Sequence, residues 1–274
     1  MPLYQAIVLA IVQGLTEFLP VSSTAHLVLF PWFAGWKDPG LTFDVALHAG
    51  TLIAVIIFFW RMWWDMLRAA AGLGDRADPE VHQNRKLFWL LVIATIPAAI
   101  AGLLFEKQAE SAFRTPLIIG IALIAVGVIM WWGEAVSRDN ESLKQAGLLD
   151  AIVVGIAQAF AVIPGVSRSG STMTAGLFRS MKRETAARFS FLLSTPIIAG
   201  AALKKGLEVH RHGLPADMHA PFLVGIIVSG VVGYAVIGWL IRFLEGHTFR
   251  VFVIYRVALG VIVLALGLGL HRGM

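Results

Sequence analysis

Two stretches restrict this chain more than anything else in it. Residues 87–105, LFWLLVIATIPAAIAGLLF, and 115–132, TPLIIGIALIAVGVIMWW, each run without a charged side chain. About 20 largely apolar residues cross a bilayer as a helix, since only there is every backbone polar group paired without water. Segments 41–60, 221–241 and 251–270 meet the same criterion, and the shorter charge-free stretch 189–203, FSFLLSTPIIAGAAL, predicts a sixth span. Trp60, Trp63, Trp64, Trp131 and Trp132 fall at span ends, where indole rings sit at the membrane interface.

Composition agrees. With 58% hydrophobic and 14% charged residues and a mean hydropathy of +0.77, the 274-residue chain is excluded from the soluble globular class. Having no cysteine, it has no disulfide, thiolate nucleophile or cysteine metal site. The net charge of +5 is spread over short connecting loops, which points to membrane topology rather than nucleic-acid binding. No Lys or Arg precedes Lys37 and no small-residue cleavage site follows a short apolar core, so the N-terminal segment is expected to stay as structure.

Four apolar pieces, roughly 3–19, 21–34, 148–163 and 170–178, are too short or too interrupted by Pro, Gly and polar residues to cross alone, and they read as re-entrant. Shifting the sequence by 145 places AIVLAIVQGLTEFLPVSST (6–24) on AIVVGIAQAFAVIPGVSRS (151–169), with 7 identities in 19. The expectation is an all-α polytopic membrane protein, one membrane domain over 1–274. It would be built from two repeat halves, roughly 1–134 and 148–270, with about six transmembrane helices and four short re-entrant segments. Three crossings per half invert the second half, and inverted repeats place broken helices around a polar site near the midplane. With loops 61–86, 133–147, 179–188 and 242–250 on the cytoplasmic side, that side holds 13 Lys and Arg against 7 outside, which satisfies the positive-inside rule.

Polar groups at membrane depth cost about 2.5–3.5 kcal/mol per central charge on insertion scales, so they mark a site. Two clusters stand out, QGLTEFLPVSSTAH (13–26) and PGVSRSGST (164–172). Gln13 and Glu17, four apart, share a helix face that Pro20 ends, and VSST then forms a turn followed by His26. Pro164 and Gly165 break the second half in the same way, leaving hydroxyls, amides and the forked Arg168 in a form suited to a phosphate anion. The 145-residue shift pairs Glu17 with Val162 and Ser23 with Arg168, so one half brings acid or base groups and the other anion binding. Outside these clusters, Asp44, His48 and Asp150 read as interface or packing residues, and Arg256 as a side chain snorkelling to the headgroups. Gly225, Ser229 and Gly233 read as a close-packing face.

These residues resemble the bacitracin-resistance type of undecaprenyl-diphosphate phosphatase. The two motifs of that family, a Glu or Gln followed four residues later by Glu, and PGxSRSxxT, stand here as QGLTE (13–17) and PGVSRSGST (164–172), and the likeness covers essentially the whole chain. The resemblance implies hydrolysis of the lipid diphosphate to monophosphate and inorganic phosphate. That reaction recycles the carrier for peptidoglycan and other wall polymers and confers resistance to bacitracin. It further implies the bacterial inner membrane, a site facing the periplasm, and a divalent cation, Mg²⁺ or Ca²⁺. Residue by residue, Gln13 and Glu17 match the metal-associated motif, Ser23 the nucleophile, His26 the proton-transfer partner and Arg168 the diphosphate clamp. Ser22, Thr24, Ser167, Ser169 and Thr172 complete the substrate-binding set. Gln13 stands where some members carry Glu, and Ala25 where Gly often precedes the His. Attack by Ser23 and attack by a metal-bound water use the same residues, and both stay open. The partners implied are the polyprenyl lipid and bilayer lipids, not nucleic acid; a homodimer is left open. The rival reading is a polyprenyl-phosphate carrier or flippase, which would need neither the nucleophile nor the proton shuttle beside Glu17.

Overall fold

The computed structural model describes residues 1–75 and 77–269. Arg76, Leu270 and Arg272, which the topology and repeat readings use, lie outside them. Among the described residues the chain is helical, with one isolated bridge between Glu141 and Met181 and no sheet. The first half runs α1 (Leu3–Thr16), α2 (Ser23–Ala34), α3 (Leu41–Phe58), α4 (Trp60–Ala70), α5 (Pro79–Leu104), α6 (Glu106–Glu110) and α7 (Pro116–Val136). The second runs α8 (Leu148–Ala159), α9 (Arg168–Phe178), α10 (Arg183–His212), α11 (His219–Gly246) and α12 (Arg250–Gly269). Six described helices, α3, α5, α7, α10, α11 and α12, are long and apolar enough to cross a membrane, so this is a multi-pass membrane protein.

The start and stop signals are local. Asp78 and Thr115 cap α5 and α7, each followed by a proline at the first helical position, where no amide hydrogen is needed. Gly35, at φ 67°, closes α2 in the left-handed conformation. Segment 189–203 proves to be the middle of α10, a 30-residue helix that carries Pro196 in its interior. Its charged ends, RETAAR and KKGLEVHRH, hid its length. The stretch after Trp60, expected as loop, begins with amphipathic α4, which buries Met66 and Ala69 and exposes Arg61, Trp64 and Arg68.

α11 packs on α3 and α1, α12 on α7, and α8 on α5. Small residues bring α3 and α11 together. A Cβ on Gly50 would lie 2.1 Å from the Ile226 carbonyl oxygen, and Ser229, fully buried, donates to the Leu47 carbonyl at 2.9 Å. Outward faces carry apolar side chains such as Ile100, Leu103, Ile227 and Val231. The short helices α1, α2, α8 and α9 have 11 to 14 residues. At about 1.5 Å per residue that is well under the ~30 Å hydrocarbon core, so none of them crosses alone.

Candidate active site

The turns that join α1 to α2 and α8 to α9 meet, and the polar residues of both clusters sit where they do. Each turn ends on a serine in a backbone conformation that residues other than glycine seldom adopt, Ser22 at φ 76° and Ser167 at φ 72°. Such a conformation costs about 1–3 kcal/mol and persists only where the surroundings enforce it. Each serine caps the helix that follows. Ser22 Oγ accepts from the Ala25 amide at 3.3 Å, and Ser167 Oγ from the Gly170 amide at 3.0 Å. The turns are also stitched to one another. Gly165 N–H donates to Ser22 Oγ at 3.1 Å, and Ser169 Oγ reaches the carbonyls of Glu17 and Leu19, both at 3.0 Å. Thr24 Oγ1 stands 3.3 Å from Ser22 Oγ, just as Ser169 Oγ stands 3.3 Å from Ser167 Oγ.

Glu17 is the centre. It follows the last residue of α1 and is 4% exposed. Arg168 Nη2 donates to its Oε1 at 3.0 Å. Its Oε2 accepts from Ser23 Oγ at 2.5 Å and from Gln13 Nε2 at 3.1 Å, and stands 3.2 Å from His48 Nε2. The first residue of α2 and the first residue of α9 therefore grip opposite oxygens of one carboxylate. His48 Nδ1 also faces an acceptor, the Asp44 carbonyl at 2.7 Å, so both ring nitrogens of His48 lie against oxygen. Arg168 Nη1 donates to the Ser190 carbonyl at 2.8 Å, while Arg168 Nε, also buried, has no partner among the described residues. Thr172 Oγ1 donates to the Arg168 carbonyl and meets Ser190 Oγ, both at 2.7 Å.

The residues of the two polar clusters gather at or beside these turns, but His26 makes its contacts away from Glu17. Its Nδ1 donates to the Ser22 carbonyl at 2.7 Å, which leaves Nε2 to accept from the Tyr255 hydroxyl at 2.7 Å, and the two rings stack nearly parallel. Arg256 corrects its sequence reading. Rather than snorkelling, its side chain is fully buried and its guanidinium donates to the carbonyls of Pro20, Gly165 and Val166. Asp44 pairs with Arg114, and Asp150 caps α8 and pairs with Arg179, as packing residues do. His48, Ser190, Tyr255 and Arg256 were not read as site residues.

For a divalent ion the donor set is thin. Among the described residues no group of three His, Cys, Asp or Glu converges on a point. Both oxygens of Glu17 already receive hydrogen bonds, and Gln13, which donates one of them, keeps its Oε1 buried and without a partner among the described residues. These residues do not form a cage for a resident ion.

These features define a class, a polytopic membrane protein with a buried polar site in which a serine and an arginine at two helix starts meet one carboxylate. The chain belongs to the family described as bacitracin resistance protein BacA, which matches residues 6–262. It is 51% identical over 266 residues to the undecaprenyl-diphosphatase of Moorella thermoacetica, covering 97% of this chain and 98% of that one. It is 49% identical to the undecaprenyl-diphosphatase of Pelotomaculum thermopropionicum, covering 97% of each chain. With the undecaprenyl-diphosphatase of Desulforudis audaxviator it shares 46% identity over 265 residues, covering 97% of this chain and 98% of that one.

Proposed function

We propose that this protein is an integral membrane phosphatase that hydrolyses undecaprenyl diphosphate to undecaprenyl phosphate and inorganic phosphate. It thereby recycles the lipid carrier of cell-wall synthesis and confers resistance to bacitracin. The observation that carries the reading is Ser23 Oγ at 2.5 Å from Glu17 Oε2, with Arg168 on the other oxygen of the same carboxylate. A carrier would have no use for a hydroxyl held against a proton acceptor.

The terminal phosphate docks at the starts of α2 and α9, where first-turn amides and the positive helix ends favour an anion. Arg168 supplies its unpartnered Nε–H and then exchanges Glu17 for phosphate oxygens, a bidentate fit for a guanidinium. That exchange takes the Arg168 donor from Glu17 and leaves Ser23 Oγ on Oε2. With donors on both oxygens in the resting site, the carboxylate has little capacity left for another proton, so substrate binding itself unmasks the base. Ser23 Oγ then attacks the terminal phosphorus, its proton passes to Glu17, and the bond from phosphorus to the bridging oxygen breaks, releasing undecaprenyl phosphate. Water hydrolyses the phosphoserine to inorganic phosphate and restores the hydroxyl. Ser22, Thr24, Ser167, Ser169 and Thr172 hold the turns and their amides in place, and His26 with Tyr255 forms a separate proton-holding pair at the start of α2.

A divalent cation, Mg²⁺ or Ca²⁺, would be held mainly by the substrate, with Gln13 and Glu17 as the residues that would meet it, and when bound it would supply charge neutralisation. On this reading the protein sits in the bacterial inner membrane with its site open to the periplasm, a placement supported by the positive-inside count. The test is phosphate release from undecaprenyl diphosphate by detergent-purified protein, with and without EDTA. Release abolished by EDTA and by Arg168→Ala is expected. Binding of the lipid with no release by the folded protein would replace the enzyme with a carrier.

A further inference from the structure

We propose that Arg256 is a positioning residue for the reaction: its guanidinium locks the two site-bearing turns together, so that the spacing of Ser23, Glu17 and Arg168 depends on it. The inference rests on the phosphatase reading for its kinetic arm, and on geometry alone for its structural arm.

Arg256 lies on α12, far in sequence from either motif, and is the largest fully buried side chain among the described residues. Nη1 donates to the Pro20 carbonyl at 3.0 Å, in the first turn. Nη2 donates to the Gly165 carbonyl at 2.7 Å and the Val166 carbonyl at 3.1 Å, in the second. Nε reaches the Leu123 carbonyl of α7 at 3.4 Å. One planar group thus fixes three elements at once.

The turns need it. Breaking a helix releases carbonyls that have no amide to accept from, and a buried orphan carbonyl is costly. Water is scarce at this depth, so five N–H bonds in a rigid fork are the compact solution, and an ammonium could not span the same acceptors. Packing adds a second constraint. A Cβ on Gly170 would lie 3.0 Å from Arg256 Nη1, so the fork sits directly beneath the first turn of α9.

No ion pair forms at Arg256 among the described residues; all its partners are carbonyl dipoles. A buried cation left without a counter-ion is an expensive arrangement. Here it lies under two helix starts that receive a multiply charged anion, so the same group that sets the spacing adds a fixed positive field where the phosphate docks.

The experiment compares full-length, detergent-purified Arg256→Lys and Arg256→Gln with the parent protein and with Ser229→Ala, a scaffold change at the contact of α3 and α11. Amide exchange is followed by mass spectrometry alongside kcat and KM. Faster exchange is expected in peptides covering 19–25 and 163–170 together, with α3 and α11 unchanged. The kcat of Arg256→Lys should fall at least about 30-fold with KM within about threefold, since a misplacement near 1 Å costs on the order of 10²-fold. Ser229→Ala should show the reverse pattern, loosened α3 and α11 with kcat retained. Arg256→Lys with near-parental kcat would overturn the proposal, because charge alone would then suffice. Unchanged exchange at the turns, or a loss of kcat that tracks general loosening, would overturn it too. Should the parent release no phosphate, the phosphatase reading falls, and the exchange data still decide whether Arg256 holds the turns.

Discussion

The turn at 17–23 and the turn at 162–168 end alike and carry different cargo, although the second passes through Gly165 at φ 98° where the first has Pro20. Each places a serine at positive φ, each uses that serine to cap the next helix three residues on, and each sets a hydroxyl two residues further within 3.3 Å of the cap. At the 145-residue shift the positions carrying chemistry diverge: Glu17 against Val162, Ser23 against Arg168, His48 against Leu193. The lesson is a division of labour. Capping and strain fix where a side chain at the helix start will point, and once that is fixed the identity of the side chain is free to change. Two such starts aimed at one carboxylate set a serine hydroxyl on one oxygen and a guanidinium on the other, which neither half achieves alone.

Breaking the cargo of each turn should reveal the asymmetry most strongly. Ser23→Ala removes the attacking atom and should lower kcat at least about 10³-fold in a phosphate-release assay, a loss of the size seen when a nucleophile is deleted. Among the described residues the second-turn hydroxyl Ser169 bonds only to backbone and to its cap, so Ser169→Ala should cost no more than about tenfold. Equal losses at both positions would mean that the turns share the chemistry and that Ser23 is not the nucleophile.

The next effect concerns the residue that has no counterpart in the second half. His48→Leu installs the side chain found at the shifted position, Leu193, and strips one donor from Glu17 Oε2. Loss of a partner that orients a reacting group costs about 10- to 100-fold by analogy with metal-site supports, so kcat/KM should fall in that range. His48→Gln, which keeps an N–H donor, should recover part of it. Activity unchanged in His48→Leu would remove the imidazole from the site and leave Glu17 aligned by Ser23, Gln13 and Arg168 alone.

What the sequence made legible was local. The apolar runs announce the six long helices, and Pro20 and the Pro164–Gly165 pair announce the breaks, because each signal lies within the segment it governs. His48 and Arg256 were misjudged because their partners are distant in sequence: Glu17 lies at the end of α1 while His48 is on α3, and the turn carbonyls lie 90 to 236 residues from Arg256. A cation near a span end normally reaches for headgroups, and only the released carbonyls of two broken helices make burial the better alternative. The direction of His26 was hidden for a similar reason. Its neighbours in sequence pointed to Ser23, while its hydrogen-bond partner lies on α12.

The smallest expected effect tests the feature the turns have in common. Ser22→Ala and Ser167→Ala each delete a cap while leaving the backbone at positive φ, and a lost cap costs about 1 kcal/mol. Were the turns equivalent, the two variants would lose the same thermal stability in detergent. They are not equivalent, because Ser22 Oγ also accepts the Gly165 amide of the other turn, and its removal leaves that buried N–H without a partner. An unsatisfied buried donor adds about 1–3 kcal/mol. Ser22→Ala should therefore be the more damaging of the pair, and Ser22→Gly, which relieves the backbone strain but not the orphaned amide, should recover only part of the loss. The reverse order would mean that the stitch between the turns is borne by Ser169 and its two carbonyl contacts, and that the second turn, not the first, holds the site closed.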